Sequence, residues 1–412
     1  MEDTPALDRC SRRFTVSLHR NMRSRLLPLS LLILGAIFFL TAQGNCSSRR
    51  NKDQGEFSRY AGDSPSHALP YATDVSSALT RKAVSGAMRK VADWQLKRSE
   101  AHYNQDWTFA VLYAGFMAVP EEASGQHYRA SMKAMSESFR WQLGPDIMDA
   151  NDDAMGQTYL SLYALDRDSR YLQPTRKAMD RLLEHSNDTS LSARPLWWWC
   201  DGLFMAPPVL ATLSQATDDR KYIDFMDHQW LITSGKLYDR DRHLFFRDSR
   251  FLDRHEPNGK PLFWARGNGW VMGGLVRVLQ AMPKDYPSRH LYVAQLQEMS
   301  TALMALQRPD GLWSTGLLDP AEHPMPETSG SSLITYGITY GINEGLLDRK
   351  IFEPCVKRAW EGIVSHIYAD GRLGAVQPVA DSPGMFKPTS SYVYGVGAFL
   401  LAGSEIYKMA EK

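Results

Sequence analysis

The feature that most constrains this chain is an alternation between two kinds of helical segment. One kind is charged and amphipathic, over residues 74–100, 127–143, 171–187, 220–236, 288–308 and 353–368. In YLQPTRKAMDRLLEHS the apolar Leu172, Met179, Leu182 and Leu183 share the segment with many charges, as a helix with one wet face requires. The other kind is nearly uncharged along its body and rich in Gly, Ala and aromatic residues, over 107–119, 154–165, 201–216, 269–282, 330–347 and 391–407. A helix that is apolar almost all round is a buried helix. Clean strand alternation is scarce. Six buried helices alternating with six half-exposed ones predict an all-α fold: an (α/α)6 barrel of six helical hairpins, with an inner ring wrapped by an outer ring. The starts of the inner segments are too unevenly spaced for a strict solenoid repeat, and an open array of hairpins is the alternative.

The N-terminus carries a different signal. Residues 26–42, LLPLSLLILGAIFFLTA, are mostly apolar and follow Arg20, Arg23 and Arg25. A basic flank, an apolar stretch and then small or polar residues describe a secretory signal rather than a comfortable membrane span. Met22 stands just before the apolar run, so translation is expected to start there. Cleavage after Gly44, or lipidation at Cys46, would follow, making the product exported and either periplasmic or an outer-membrane lipoprotein. Residues 1–46 thus form a signal region, the polar residues 47–73 a tether, and residues 74–412 one catalytic domain. Within that domain only Cys200 and Cys355 remain, with no zinc spacing, and they are expected as buried thiols.

Composition narrows the partners. A formal net charge of +1 offers no electrostatic argument for nucleic acid. Neither a Walker A motif, nor a dinucleotide fingerprint after a strand, nor H-E-x-x-H occurs, so no cofactor and no metal is expected. A membrane would be met only through a lipid anchor. The 11 Trp and 18 Tyr are numerous, and aromatic faces can stack on sugar rings as well as fill a core.

If the inner helices run parallel, their N-termini open on one mouth. The residues at those starts are Asp106–Trp107, Asp152–Asp153, Trp197 to Asp201, Trp264 to Trp270, Glu327 to Ser332 and Lys387 to Tyr392. N-capping explains some of the Asp, Ser and Thr. It does not explain clustered Trp, Arg266 or Asn268. Polar groups converging on the mouth of an apolar barrel are the usual form of a small-ligand pocket, and aligned helix N-termini suit a ligand bearing a carboxylate.

Four segments carry a resemblance: DDAMGQTYLSLY (152–163), WWWCDGLFMAPPVLATL (197–213), FWARGNGWVMGGLVRVL (263–279) and ETSGSSLITYGITYGIN (327–343). Across roughly residues 75–410 the chain resembles glycoside hydrolase family 105, the unsaturated rhamnogalacturonyl hydrolases. The resemblance implies release of a terminal 4,5-unsaturated uronic acid from lyase-generated oligosaccharides, by hydration of the C4=C5 bond. It implies Asp201 as acid and base, where the residues alone leave an N-cap equally open. It also implies a second carboxylate in the pair Asp152 and Asp153, without choosing between them. Arg266 is a candidate partner for the uronate, since a guanidinium offers bidentate hydrogen bonds. Trp264, Trp270, Trp198 and Trp107 are candidate sugar platforms or core, and Asn268 a contact or a turn residue. Some family members place a His where this chain has Arg247, which puts a direct transfer of that role in doubt while leaving Arg247 a candidate substrate contact.

Three rivals stand beside this reading, one of them a polysaccharide lyase or sugar epimerase on the same barrel type, since one fold hosts many chemistries. Family 88, the unsaturated glucuronyl hydrolases, shares barrel and mechanism and differs in substrate. A non-catalytic glycan-binding lipoprotein would use the Trp-rich mouth only to hold sugar.

Overall fold

Helices of at least eleven residues alternate between a buried and a half-exposed type along the whole described chain, which comprises residues 61–185, 190 and 194–410 of a computed structural model. The outer helices are α1 (Arg81–Ser99), α3 (Gly125–Ser138), α5 (Ser169–His185), α7 (Lys221–Leu237), α9 (Arg289–Ala305) and α11 (Arg349–Val364). The inner ones are α2 (Trp107–Ala118), α4 (Gly156–Asp166), α6 (Pro207–Thr217), α8 (Ala265–Ala281), α10 (Thr328–Asn343) and α12 (Val393–Met409). Each inner helix packs on the next, and α12 packs back on α2, so the ring closes. The open array is thereby excluded, and the fold is the (α/α)6 barrel.

The two rings differ as their sequences require. Every residue of α10 from Thr328 to Ile342 is buried, whereas α5 buries only Tyr171, Leu172, Thr175, Met179 and Leu182. Where α2 meets α12, a Cβ on Gly115 would lie 2.7 Å from the backbone of Gly397. Only glycine permits that approach. The inner-to-outer turns are tight: Arg167 (φ 56°) and Asp218 (φ 54°) end α4 and α6 in the left-handed conformation and the outer helix begins almost at once. Apart from the α1–α2 link the return connections are long, and they carry every strand of the short antiparallel ribbons among the described residues except β1, which precedes α1. These are β1 (Gly62–Asp63) with β6 (Ser391–Tyr392), β2 (Tyr238–Asp239) with β3 (Leu244–Phe245), and β4 (Trp313–Ser314) with β5 (Pro326–Glu327). This asymmetry gathers loop residues at the mouth where the inner helices start.

Three boundaries differ from expectation. The segment 201–216 is not one helix: a turn, Gly202–Met205, precedes α6, because Pro207 and Pro208 supply no backbone N–H to continue it. A second turn, Ala150–Asp153, likewise precedes α4. Helix α8 starts at Ala265, so Arg266 to Gly269 belong to its first turns.

Residues 61–73, expected in a polar tether, lie along the barrel. Asp63 pairs with Arg98 and with the buried Arg372, the Lys387 ammonium reaches the Ser64 carbonyl at 3.2 Å, and Tyr71 bridges Tyr368. Polar composition there reflects ionic and backbone bonding to the α11–α12 loop rather than free solvation. The apolar stretch 26–42, Met22 and Cys46 lie outside the described residues. Among the described residues no helix is long and apolar enough to cross a membrane.

Candidate active site

Asp201 follows the strand-like residues of the α5–α6 loop. The Cys200 N–H donates to the Arg247 carbonyl at 2.8 Å, and Trp199 forms an isolated bridge with Asp248. Those bonds clamp residues 199–201 to the α7–α8 loop. The Asp201 backbone is already helical (φ −63°, ψ −31°), and its side chain caps nothing. Capping falls to other acids: Asp106 accepts from the Thr108 N–H at 2.9 Å, Asp149 from Asn151 at 3.1 Å, and Glu327 from Ser329 and Gly330. The carboxyl of Asp201 is therefore not consumed by the helix it precedes.

That carboxyl borders a cavity of about 130 Å³, lined also by Trp107, Asn151, Trp199, Arg247, Trp264 and Arg266. Only 9% of Asp201 is exposed. Burial pushes its pKa up; the charge of Arg247, with Nε 3.6 Å from Oδ2, and the Cys200 thiol, 3.3 Å from Oδ1, pull in the other direction without winning. A carboxyl held protonated above the usual range is suited to give up a proton near neutral pH.

Arg247 is the hinge between two cavities. It borders the first and also a second of about 320 Å³, lined by Asp146, Met148, Asp149, Asn151, Leu196, Trp198 and Trp199. Its Nη1 donates to Asp248 at 2.7 Å, its guanidinium lies over the Trp198 ring at 5.6 Å, and its buried Nε has no hydrogen-bond partner. Asp248 is buried, which alone would raise its pKa, but Arg250 and Arg247 hold it below the ordinary value. Trp198, 42% exposed, offers a face to solvent at the second cavity. A further cavity between α7 and α9 shares no lining residue with these two.

Arg266 is reached less directly than expected. Nη1 donates to the Gln377 carbonyl at 2.6 Å and Nη2 to the Pro378 carbonyl at 2.8 Å. Its guanidinium is sandwiched between Trp264 (4.5 Å) and Tyr394 (5.0 Å), and its buried Nε is unpartnered. Its fork thus grips the α11–α12 loop while its charge faces the cavity. Trp264 gives its indole N–H to the Gln377 side chain at 2.9 Å, so its edge is structural even though it lines the site. Trp270 is fully buried and lines the same cavity, and the partly buried Trp107 stacks on Tyr394 at 5.5 Å.

Two sets of candidates lie elsewhere than expected. Asn268 is not a turn residue, and it lines neither cavity. It is helical and buried, its Oδ1 accepts from the Phe245 N–H at 2.7 Å, and its Nδ2 donates to the Phe245 and Trp264 carbonyls at 3.0 Å. It ties the β2–β3 ribbon, and so Arg247, to α8. The carboxylates of Asp152 and Asp153 do not line either cavity. Asp152 accepts from the Asp146 N–H at 2.8 Å, turned toward the preceding loop. Asp153 is buried with neither carboxyl oxygen hydrogen-bonded; burial, then the charges of Asp152, Asp149 and Asp146, push its pKa well up. The residue of this turn that borders both cavities is Asn151. Sequence reasoning missed it, and also missed Asp248 and Gln377, while Trp199 was marked only as one of the Trp cluster at the mouth. Periodicity marks where a helix starts, but not which side chain of its first turn points inward.

The family model described as Glycosyl Hydrolase Family 88 matches residues 80–410. An unsaturated 3S-rhamnoglycuronyl hydrolase of Formosa agariphila is 38% identical over 353 residues, covering 81% of this chain and 93% of that protein. The solved structure of a glycosyl hydrolase family 88 protein from Bacteroides vulgatus superposes with a TM-score of 0.75 at 29% identity, over 80% of this chain and 99% of that one. The structure of a possible family 105 member from Salmonella enterica has a TM-score of 0.68 at 20% identity, over 84% of this chain and 97% of that one, and shows the shared fold. The resemblance to family 105 thus reappears as likeness of the barrel. The matching model spans the barrel from before its first helix to the end of its last, and with it the whole Asp201 mouth: the chain belongs to glycosyl hydrolase family 88.

Proposed function

We propose that this hydrolase removes the terminal 4,5-unsaturated uronic acid from oligosaccharides left by a polysaccharide lyase. The observation that carries the reading is the Asp201 carboxyl, buried at the cavity wall, unused as a cap and shifted toward its protonated form. The unsaturated sugar is a vinyl ether at C5, so C4 accepts a proton. Asp201 gives that proton to C4. Positive charge develops at C5 and the ring oxygen, and the carboxylate now formed takes a proton from water as it adds to C5. The resulting hemiketal opens and the attached saccharide leaves. One carboxyl performs both transfers, unlike the two-carboxyl scheme of ordinary glycosidases.

Arg247 is the cation proposed for the uronate carboxylate, with Arg266 adding charge from behind. Both have a buried Nε without a partner, and a buried unpaired donor is costly until something meets it. Trp107 and Trp264 would flank the sugar. Asn151 would hold the water or a ring hydroxyl. The name of the Formosa relative supports a rhamnose on the leaving side of a glycuronyl group, and Trp198 at the second cavity supplies a platform for it. The apolar stretch 26–42 with its basic flank supports export, and Cys46 a lipid anchor.

Incubation with a panel of lyase-generated oligosaccharides tests the reading. Loss of the C4=C5 absorbance is expected, with rhamnose exposed at the new non-reducing end. No loss on any member of the panel defeats it. An increase would signify an elimination instead.

A further inference from the structure

We propose that Cys200 is a positioning residue for Asp201: its thiol holds Oδ1 as a hydrogen-bond acceptor, so that Oδ2 is the oxygen that carries and recovers the transferable proton. The proposal rests on the reading of Asp201 as acid and base.

Three observations support it. Among the described residues, the Cys200 Sγ–H, 3.3 Å from Oδ1, is the one hydrogen-bond donor to the Asp201 carboxyl. Arg247 approaches the other oxygen, but its Nε at 3.6 Å stands outside hydrogen-bond reach, leaving Oδ2 free to bear hydrogen. The thiol is also walled in. A Cβ placed on Gly267 would lie 3.1 Å from Sγ and 3.7 Å from Oδ1, so the first turn of α8 packs directly on the pair. The Cys200 backbone is pinned by its bond to the Arg247 carbonyl. Sγ therefore has little room to swing away.

The residue type matters because a thiol is a weak donor. A stronger donor on Oδ1 would favour the carboxylate and leave less of the group protonated at working pH. No donor would leave the buried charge less supported after the proton has gone to C4. A buried thiol, its own pKa raised chiefly by burial and then by the charge of Asp201, stays protonated across the working range and keeps donating. Cys200 lines neither cavity, so it acts through Asp201 and not on the sugar.

The test is the pH dependence of kcat/KM on an unsaturated disaccharide for wild type, Cys200→Ala and Cys200→Ser, with Asp201→Asn as control. Turnover requires protonated Asp201, so its pKa sets the alkaline limb. Removing the donor in C200A should move that limb upward by about half a pH unit, with KM unchanged. Cys200→Ser should leave the limb at its wild-type position or below. A limb that stays put in C200A, or moves upward equally in both variants, overturns the proposal. If C200A does not fold, the S–H stretching band of the wild type, assigned by its loss in C200S, gives the answer. It should shift as Asp201 titrates and stop shifting in D201N; a band indifferent to Asp201 overturns the proposal. An Asp201→Asn variant as active as wild type would instead defeat the reading of Asp201 itself.

Discussion

Arg247 approaches Asp201 with Nε 3.6 Å from Oδ2, near enough for charge attraction and too far for a hydrogen bond. The pair therefore couples electrostatically without locking the carboxyl. In Arg247→Ala the pull that opposes burial disappears, so Asp201 should keep its proton to higher pH and the alkaline limb should move upward. The same change removes the proposed uronate partner, and KM should rise about tenfold or more, the loss of one charge-assisted contact. Steady-state kinetics across pH check both. An unchanged KM would assign the uronate to another group.

Asp201→Asn should lower kcat by roughly 10³-fold, within the span that general acid–base groups contribute. Its effect on stability should have the opposite sign. The folded-state pKa of Asp201 lies above its ordinary value of 3.8. Its contribution is thus complete below that value and is lost as pH rises through the folded pKa. Thermal melts of D201N should match wild type in acid and lie above it at neutral pH. An inactive variant with a lowered melting temperature at neutral pH would point to misfolding.

Asp153 obeys the same sign more strongly, being buried without a hydrogen bond beside other acids. Asp153→Asn should melt higher than wild type, and the gap should widen as pH rises from acid toward neutral. Differential scanning calorimetry in matched buffers measures it. A gap that narrows with pH would mean that a charged Asp153 is stabilised in the fold.

Asn268 makes two bonds to the Phe245 backbone and one to Trp264. Asn268→Ala strands those buried backbone groups and should cost about 1–3 kcal/mol of stability. Because Arg247 stands two residues from Phe245, kcat/KM should fall even though Asn268 lines neither cavity. A substrate contact would instead show an activity loss without a change in melting temperature.

Trp198 presents its face to the second cavity and to solvent. Trp198→Ala should raise KM for substrates with a sugar on the leaving side, leaving kcat within about twofold and the melting temperature nearly unchanged. A substrate bearing a small non-sugar leaving group should show no KM penalty. Equal penalties on both would remove Trp198 from the leaving side.

What the sequence determined by itself was the barrel. Local periodicity decides whether a helix is wet on one face or dry all round, and six of each leave few ways to bury the dry ones. The place of Asp201 at the mouth was legible too, carried by the residues around it and by their resemblance to a family. The tertiary structure decided how each polar side chain at the mouth is spent. Asn268 and Arg266 are committed to loop backbone contributed from far along the chain, at Phe245 and at Gln377 and Pro378. Asp152 and Asp153 turn away while Asn151 turns in. Nor could sequence show that residues 61–73 dock, since their partners Arg372 and Ser391 lie some three hundred positions on. The reason is common to all of these. Burial pattern is a property of neighbours in sequence, whereas a hydrogen-bond partner is a property of neighbours in space, and only the closed ring brings those together.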